Sequence, residues 1–331
     1  MTALEMGLGL FPTEPPRRIV EVARLAEELG YANLWMGDSQ LIWREVYVNL
    51  GAVGAATSRI TLGQGVTNPV TRHATVTASA LATLAELTDG RVALGIGAGD
   101  SSVETFGSRP STLARLEATI ATIRGLLRGD EVSVSSGSAR LDWAEPRRIP
   151  VYIAGSGPKI LGLAGRVADG AIILVGTAPQ QVRAAIACIR EAAEDAGRDL
   201  DAEGFRFVCW APCSISDDGD AARSFVKSHV ARVLKRPLPF TLEPEDQAVV
   251  DEVYRRYEYY QHMVVGAQHS EVVPDRLVRK FAIAGNVDEC REQVQALEDT
   301  GLHQIAIIPH TPRPEDRAAL VRTFAEEVAA R

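Results

Sequence analysis

Several kinds of chemistry are missing from this chain. Its four cysteines, Cys188, Cys209, Cys213 and Cys290, form neither a C-x-x-C pair nor a zinc ligand set, so thioredoxin-like and zinc-ribbon chemistry lack their ligands. No G-x-x-x-x-G-K-S/T, H-E-x-x-H or G-x-S-x-G motif occurs, which removes the entry signatures of P-loop, zincin and serine-hydrolase mechanisms. No apolar run approaches the roughly 20 residues of a membrane span. The N-terminus carries no basic-then-apolar export signal, so a cytosolic protein with reduced thiols is expected. Positive charge is in deficit: 35 Lys and Arg face 43 Asp and Glu, for a net charge of −8 and a pI near 5.4. That balance argues against a broad nucleic-acid footprint and favours small-molecule partners.

What the chain does contain is alternation. At 331 residues it can form one elaborated domain with a large core. Strand-like runs occur at Glu5–Leu10, Asn33–Met36, Ile60–Gly65, Val92–Gly95, Val151–Ala154, Ala171–Leu174, Phe205–Ala211 and Gln304–Ile308. Most are separated by amphipathic stretches such as Val76–Leu87, Leu113–Leu127 and Gln181–Ala196. The first unit is well punctuated, with Pro15 and Pro16 opening a helix that Gly30 stops. Eight βα units predict an α/β fold of the (βα)8 TIM-barrel type. Such a barrel needs about 250 residues, and the surplus falls mostly at 217–280, a helical, polar insertion expected over the barrel mouth. That stretch includes the aromatic cluster Tyr254, Tyr257, Tyr259 and Tyr260, expected to pack a helix or to form part of a lid. Glu131–Trp143 reads as a small hairpin.

Active sites of such barrels lie at the C-terminal ends of the strands. Those ends carry Phe11-Pro12, Gly37-Asp38-Ser39 with Trp43 nearby, Val66-Thr67-Asn68-Pro69, Gly97-Ala98-Gly99-Asp100, Gly155-Ser156-Gly157-Pro158 and Gly176-Thr177. Glycines before a helix let backbone N–H groups approach anionic oxygens, so a phosphate is expected at 155–158 and 176–177. Gly155-Ser156-Gly157 argues weakly for a dinucleotide fingerprint, because Ile160 stands where a third small residue belongs, and Gly95-x-Gly97-x-Gly99 has the wrong spacing. Asp38 and Asp100 at a barrel mouth must be paired or shifted in pKa. His73 and His310 lie near strand ends, and His229, His262, His269 and His303 on helices or loops; none has ligand spacing, and each reads as a surface or capping residue.

Taken in order, GVTNPVTRH, LTDGRVALGIGAGD, IPVYIAGSGPKILGLAGRVADGAIILVGTAP and FAIAGNVDECREQVQALEDTGLHQI resemble the bacterial luciferase-like superfamily, in its methylenetetrahydromethanopterin reductase branch. The resemblance covers nearly the whole chain. It implies a barrel that binds coenzyme F420, a deazaflavin, and moves a hydride between the cofactor's ring and a small substrate. FMN, with monooxygenase chemistry, is the alternative, and a carrier without turnover is a third reading. It further implies a bulge with a non-prolyl cis peptide at Gly65–Val66 against the ring. Asp38, Thr67 and Asn68 would meet the ring, with Gly97 and Gly99 nearby, and Gly155, Ser156, Gly157, Gly176 and Thr177 would hold phosphate. Asp38, Ser39 and Asp100 are the catalytic candidates, and Phe11, Trp43 and Phe281 the substrate candidates. A homodimer through Val46–Ala56 is expected. Gly9 replaces an acid that this branch usually carries, and Ser39 replaces a histidine. The substrate is therefore expected to differ from methylenetetrahydromethanopterin, and a candidate proton carrier is missing.

Overall fold

The computed structural model describes residues 4–134, 137–258, 261 and 264–330. Eight parallel strands close into a barrel. They are β1 (Glu5–Leu10), β2 (Asn33–Met36), β3 (Thr61–Gln64), β4 (Val92–Ile96), β7 (Val151–Gly155), β8 (Gly170–Ile173), β9 (Arg206–Ile215) and β11 (Gln304–Pro309). Closure comes from β8 pairing with β9, β9 with β11, and β11 with β1. The expected strand positions hold within a residue or two except for β9, which runs four residues past Ala211. The extra length pairs with an unexpected short strand, β10 (Ile283–Gly285). Three residues between two helices leave no periodicity to read. A hairpin of β5 (Val132–Val134) and β6 (Gly137–Ala139) stands at the expected place.

Helices surround the barrel: α1 (Pro16–Glu28), α2 (Val46–Gly54), α3 (Ala74–Leu87), the single turn α4 (Ser101–Glu104), α5 (Leu113–Leu127), α6 (Pro158–Val167) and α7 (Pro179–Asp195). Residues 217–280 contribute α8 (Gly219–Leu234), α9 (Pro244–Arg256) and α10 (Asp275–Phe281), and α11 (Val287–Leu297) and α12 (Arg317–Thr323) follow. Tyr259, Tyr260 and His262 lie outside the described residues. No described helix is long and apolar enough to cross a membrane.

The main core lies between strands and helices, where α1 buries Ile19, Val22, Ala23 and Ala26 against the sheet. A separate cluster fills the barrel itself, built on Trp35 and Trp210 with Ile172, Val208 and Ile308. Two indoles fit because the facing positions have no side chain. Trp35 pairs with Gly9 on one side and Gly63 on the other, and a Cβ on Gly63 would sit 2.6 Å from the Trp35 ring. A Cβ on Gly9 would sit 2.9 Å from Trp210. The buried indole Nε1–H of Trp35 donates to Gln304 at 3.0 Å, so its polar atom is satisfied.

The β3–β4 seam is equally tight. The Gly65–Val66 peptide is cis, and beyond it Thr67 rejoins β4 through N–H bonds to Gly95 O and from Gly97 to Thr67 O. A Cβ on Gly95 would overlap the Gln64 carbonyl. Gly95→Ala should therefore force the strands apart and lower stability by about 1–3 kcal/mol, read as a shifted urea midpoint. An unchanged midpoint would show that this seam has room to give.

Candidate active site

A cavity of about 750 Å³ opens at the C-terminal ends of the strands. Its floor is Trp210, Gly65 and Val66, and one wall is Phe11 stacked on Trp43, with ring centroids 4.3 Å apart. Gly37 admits that stack, since a Cβ there would lie 2.6 Å from Phe11. Opposite, the Gly155–Gly157 turn enters α6 with Pro158 at the first helical position. The ceiling is α8 and the residues after it: His229, Arg232, Val233, Lys235, Arg236 and Pro237, with Tyr254 from α9.

Of the candidate residues, Phe11, Asp38, Trp43, Gly65, Val66, Thr67, Gly97, Gly99, Asp100, Gly155, Ser156 and Gly157 line this cavity together. Others stand elsewhere. Gly176 and Thr177 are buried behind it, where the Thr177 and Ala178 N–H groups both donate to Lys280 O, at 2.9 and 3.0 Å. Those donors are spent on the chain, so the phosphate expectation contracts to 155–157. Phe281 is fully buried and packs with α8 residues such as Val226 and Val230, because α10 turns its apolar face to that helix. Asn68 shapes its own loop: its Oδ1 accepts from Val70 and Thr71 N–H, both at 2.9 Å, and its Nδ2 donates to Ser102. Ser39 is buried against Ser101, Oγ to Oγ 3.1 Å.

The histidines need correction too. His73 does cap α3. His229 and His310 are neither surface nor capping residues: both are buried, and Nδ1 of His229 lies 2.9 Å from Nε2 of His310. Burial and the nearby Arg317 guanidinium push the His310 imidazole down to about 3.

Both aspartates are paired. Asp38 is nearly inaccessible; Arg72 pairs with it and with Glu45, and Thr67 Oγ1 donates to it at 2.8 Å. Burial pushes the Asp38 carboxyl above its ordinary value, with Arg72 and the Thr67 hydroxyl opposing. Asp100 sits between Arg232 and Arg236, with Arg232 Nε donating at 3.0 Å. Desolvation lowers the Lys235 ammonium, and Arg232 lowers it further.

The residues that sequence reasoning missed are those of α8 and the turn after it. Their signal was present: positions 229, 232 and 236 fall on one face at helical spacing, and all three are basic side chains.

A closed parallel barrel with a deep mouth cavity, glycine-lined on the strand side and basic on the helix side, defines a small-molecule site of enzyme type. Residues 3–304 match the family described as luciferase-like monooxygenase, and the chain belongs to that family. It is 31% identical to 5,10-methylenetetrahydromethanopterin reductase of Methanolobus tindarius, over 96% of this chain and 98% of that one. It is 27% identical to the F420-dependent glucose-6-phosphate dehydrogenase of Nakamurella multipartita, over 96% and 92%. The fold matches the coenzyme F420-dependent tetrahydromethanopterin reductase of Methanopyrus kandleri, with a TM-score of 0.80 at 24% identity over 99% of both chains. It also matches an F420-dependent secondary alcohol dehydrogenase in complex with an F420–acetone adduct, with a TM-score of 0.79 at 20% identity over 99% and 100%.

Removing the counterion of Asp38 gives a pH-dependent penalty. Arg72→Gln should destabilise by about 3–5 kcal/mol at neutral pH, because it strands a buried carboxylate. The variant raises the folded-state pKa of Asp38 further above its unfolded value. The penalty is thus absent near pH 4 or below and grows as pH rises through the folded value. Urea midpoints of both proteins from about pH 4 to about pH 8 should diverge upward; parallel curves would mean that Asp38 does not carry the charge.

Proposed function

We propose that this protein is an F420-dependent oxidoreductase that moves a hydride between the deazaflavin and a small organic substrate. The observation that carries the reading is the flat cavity floor of Trp210, Gly65 and Val66, faced by Gly97, Gly99 and the 155–157 turn. The cavity fits such a cofactor: side chains at these glycines would occupy it, a Cβ on Gly97 lying 3.2 Å from Val66 and one on Gly157 3.1 Å from Pro237. The names of the relatives support F420 over FMN.

In this reading Val66 backs the ring. Thr67 and the Asp38–Arg72 pair present polar atoms to its edge, and the 155–157 turn with Lys159 holds phosphate. The bound deazaflavin supplies or accepts the hydride. The protein orients the two reactants and excludes water, with Phe11 and Trp43 as a flat wall for substrate. Residues 217–280 form the cover over the mouth. Asp100, clamped by two arginines, acts by fixing that cover rather than by exchanging protons.

Methylenetetrahydromethanopterin is not the proposed substrate. The position where the reductase branch carries an acid is Gly9, and Trp210 fills the space in front of it. A homodimer is proposed through α2 and α3, on which Val48 and Val76 are 66% and 56% exposed. The three buried, reduced cysteines are compatible with a cytosolic setting.

Titration of the purified protein with F420, followed by fluorescence, should give saturable stoichiometric binding, and FMN should compete weakly. No F420 binding, or substrate-dependent oxygen uptake with reduced FMN, would overturn the proposal in favour of monooxygenase chemistry.

A further inference from the structure

We propose that an arginine-lined pocket at the N-terminal end of the barrel, opposite the mouth, is a binding site for a compact oligophosphate anion of the pyrophosphate type. The proposal is independent of the F420 reading. The pocket has a volume of about 470 Å³, and its charged lining is Arg124, Arg128, Arg147, Arg148, Arg166 and Arg198 with Asp169 and Glu203. Six guanidinium groups against two carboxylates leave an excess of four positive charges, in a chain whose net charge is −8. Counting the neighbouring acids Asp130 and Glu145 still leaves an excess of two.

The arginines divide by what they already hold. Arg124 donates to Val167 O and to Asp169, both at 2.5 Å, and Arg198 donates to Gly165 O at 2.7 Å and Ala168 O at 2.9 Å. These bonds occupy the last carbonyls of α6, whose negative end would otherwise repel an anion. Arg148 shares Asp169 with Arg124, at 2.8 Å. Burial pushes the Asp169 carboxyl up, but Arg148, the Val151 N–H and Arg124 outweigh it and hold the group below its ordinary value. Asp169 thus stays ionised and fixes two of the arginines in place. Arg147 and Arg166 are differently placed. The Arg147 guanidinium comes no nearer than 3.7 Å to Glu145, itself 83% exposed, and Arg166 makes no hydrogen bond or ion pair with a described residue. Arg128 pairs with Asp130 at the surface, at 2.7 Å, a contact of little net value in water that an anion can displace.

Guanidinium forks match phosphate oxygens bidentately. The pocket presents no aromatic side chain to stack a nucleobase and no hydroxyl or amide side chain to read a sugar, so recognition rests on charge. Its volume exceeds that of a single phosphoryl group, and its excess charge suits an anion with several charges close together. The six arginines come from four segments: α5, the loop before β7, the last turn of α6 and the loop after α7. Only the folded chain assembles them, so binding stabilises the fold. The length of β7, roughly 15 Å, separates the pocket from Gly155 and the mouth cavity.

The test is calorimetric titration of the full chain with sodium pyrophosphate at low ionic strength, with inorganic phosphate for comparison. Pyrophosphate should bind saturably with single-site stoichiometry, more tightly than phosphate, and more weakly as salt is added. Arg147→Ala and Arg166→Ala should each weaken it by about tenfold. Their urea midpoints without ligand should match the wild type, because neither side chain holds a hydrogen bond in the fold. Arg166→Lys, which keeps the charge and loses the fork, should fall between wild type and Arg166→Ala. Cations also line the mouth, so Lys159→Ala is the control for binding there and should leave pyrophosphate affinity within about twofold. Pyrophosphate should raise the urea midpoint of the wild type and not that of the Arg147→Ala, Arg166→Ala double variant. The inference falls if pyrophosphate does not bind saturably, if phosphate binds equally well, or if Lys159→Ala weakens binding and the two arginine variants do not.

Discussion

The site rests on how closely the backbones of β1, β3 and β4 can approach what lies across from them. Glycine at 9, 63, 65, 95 and 97 removes the side chains that would otherwise fill the upper barrel. Two indoles then close the interior from below, and the chain after β3 can bend inward and still return to β4. The result is an apolar floor made of tryptophan ring, Val66 and main chain. Such a floor offers a planar ligand a surface whose side chains are already held by packing, which lowers the ordering cost of binding.

Charge is arranged to complement that floor. Both aspartates at the mouth are neutralised in place, the buried Asp38 by Arg72 and the half-buried Asp100 by Arg232 and Arg236. A buried pair of this kind adds little net stability, because desolvation offsets the attraction. Its consequence is positional: Arg72 ties the loop after β3 to the loop after β2, and Arg232 and Arg236 tie the end of α8 and the turn after it to the loop after β4. Packing of α8 on α10 and β10 holds the other side of the helix. The ceiling is thus fastened to the barrel by ions at the mouth and by apolar contact behind.

The barrel was legible because βα units announce themselves locally. Glu5–Leu10, Asn33–Met36 and Leu113–Leu127 appear at their expected bounds, each marked by its own periodicity and by Pro or Gly punctuation nearby. Residues at strand ends were legible for the same reason, since a parallel barrel delivers them to one rim. Where the reading failed, the deciding fact was a partner distant in sequence. Gly176-Thr177 looks like an anion turn until Lys280 O takes the Thr177 and Ala178 N–H groups. Phe281 looks like a rim residue until α10 docks on α8. The short β10 exists only because β9 continues past the barrel to meet it. Likewise, His229 and His310 are separated by 81 residues, and nothing local to either names the other.

This division between near and far information has a functional side. The floor is specified by glycines, whose replacement meets backbone or indole within van der Waals distance, so its shape tolerates few alternatives. The ceiling is specified by side chains on one face of α8, where a substitution changes what is presented to the cavity without touching the strands. A fixed floor beneath a helical face of side chains separates the two in the fold: the floor is set by backbone approach, and the face by residues that can change without moving it. In this chain, Gly9 and Ser39 offer the cavity no ionisable group, and α8 with the turn after it adds His229, Arg232, Lys235 and Arg236 to the polar side chains of the strand-end loops.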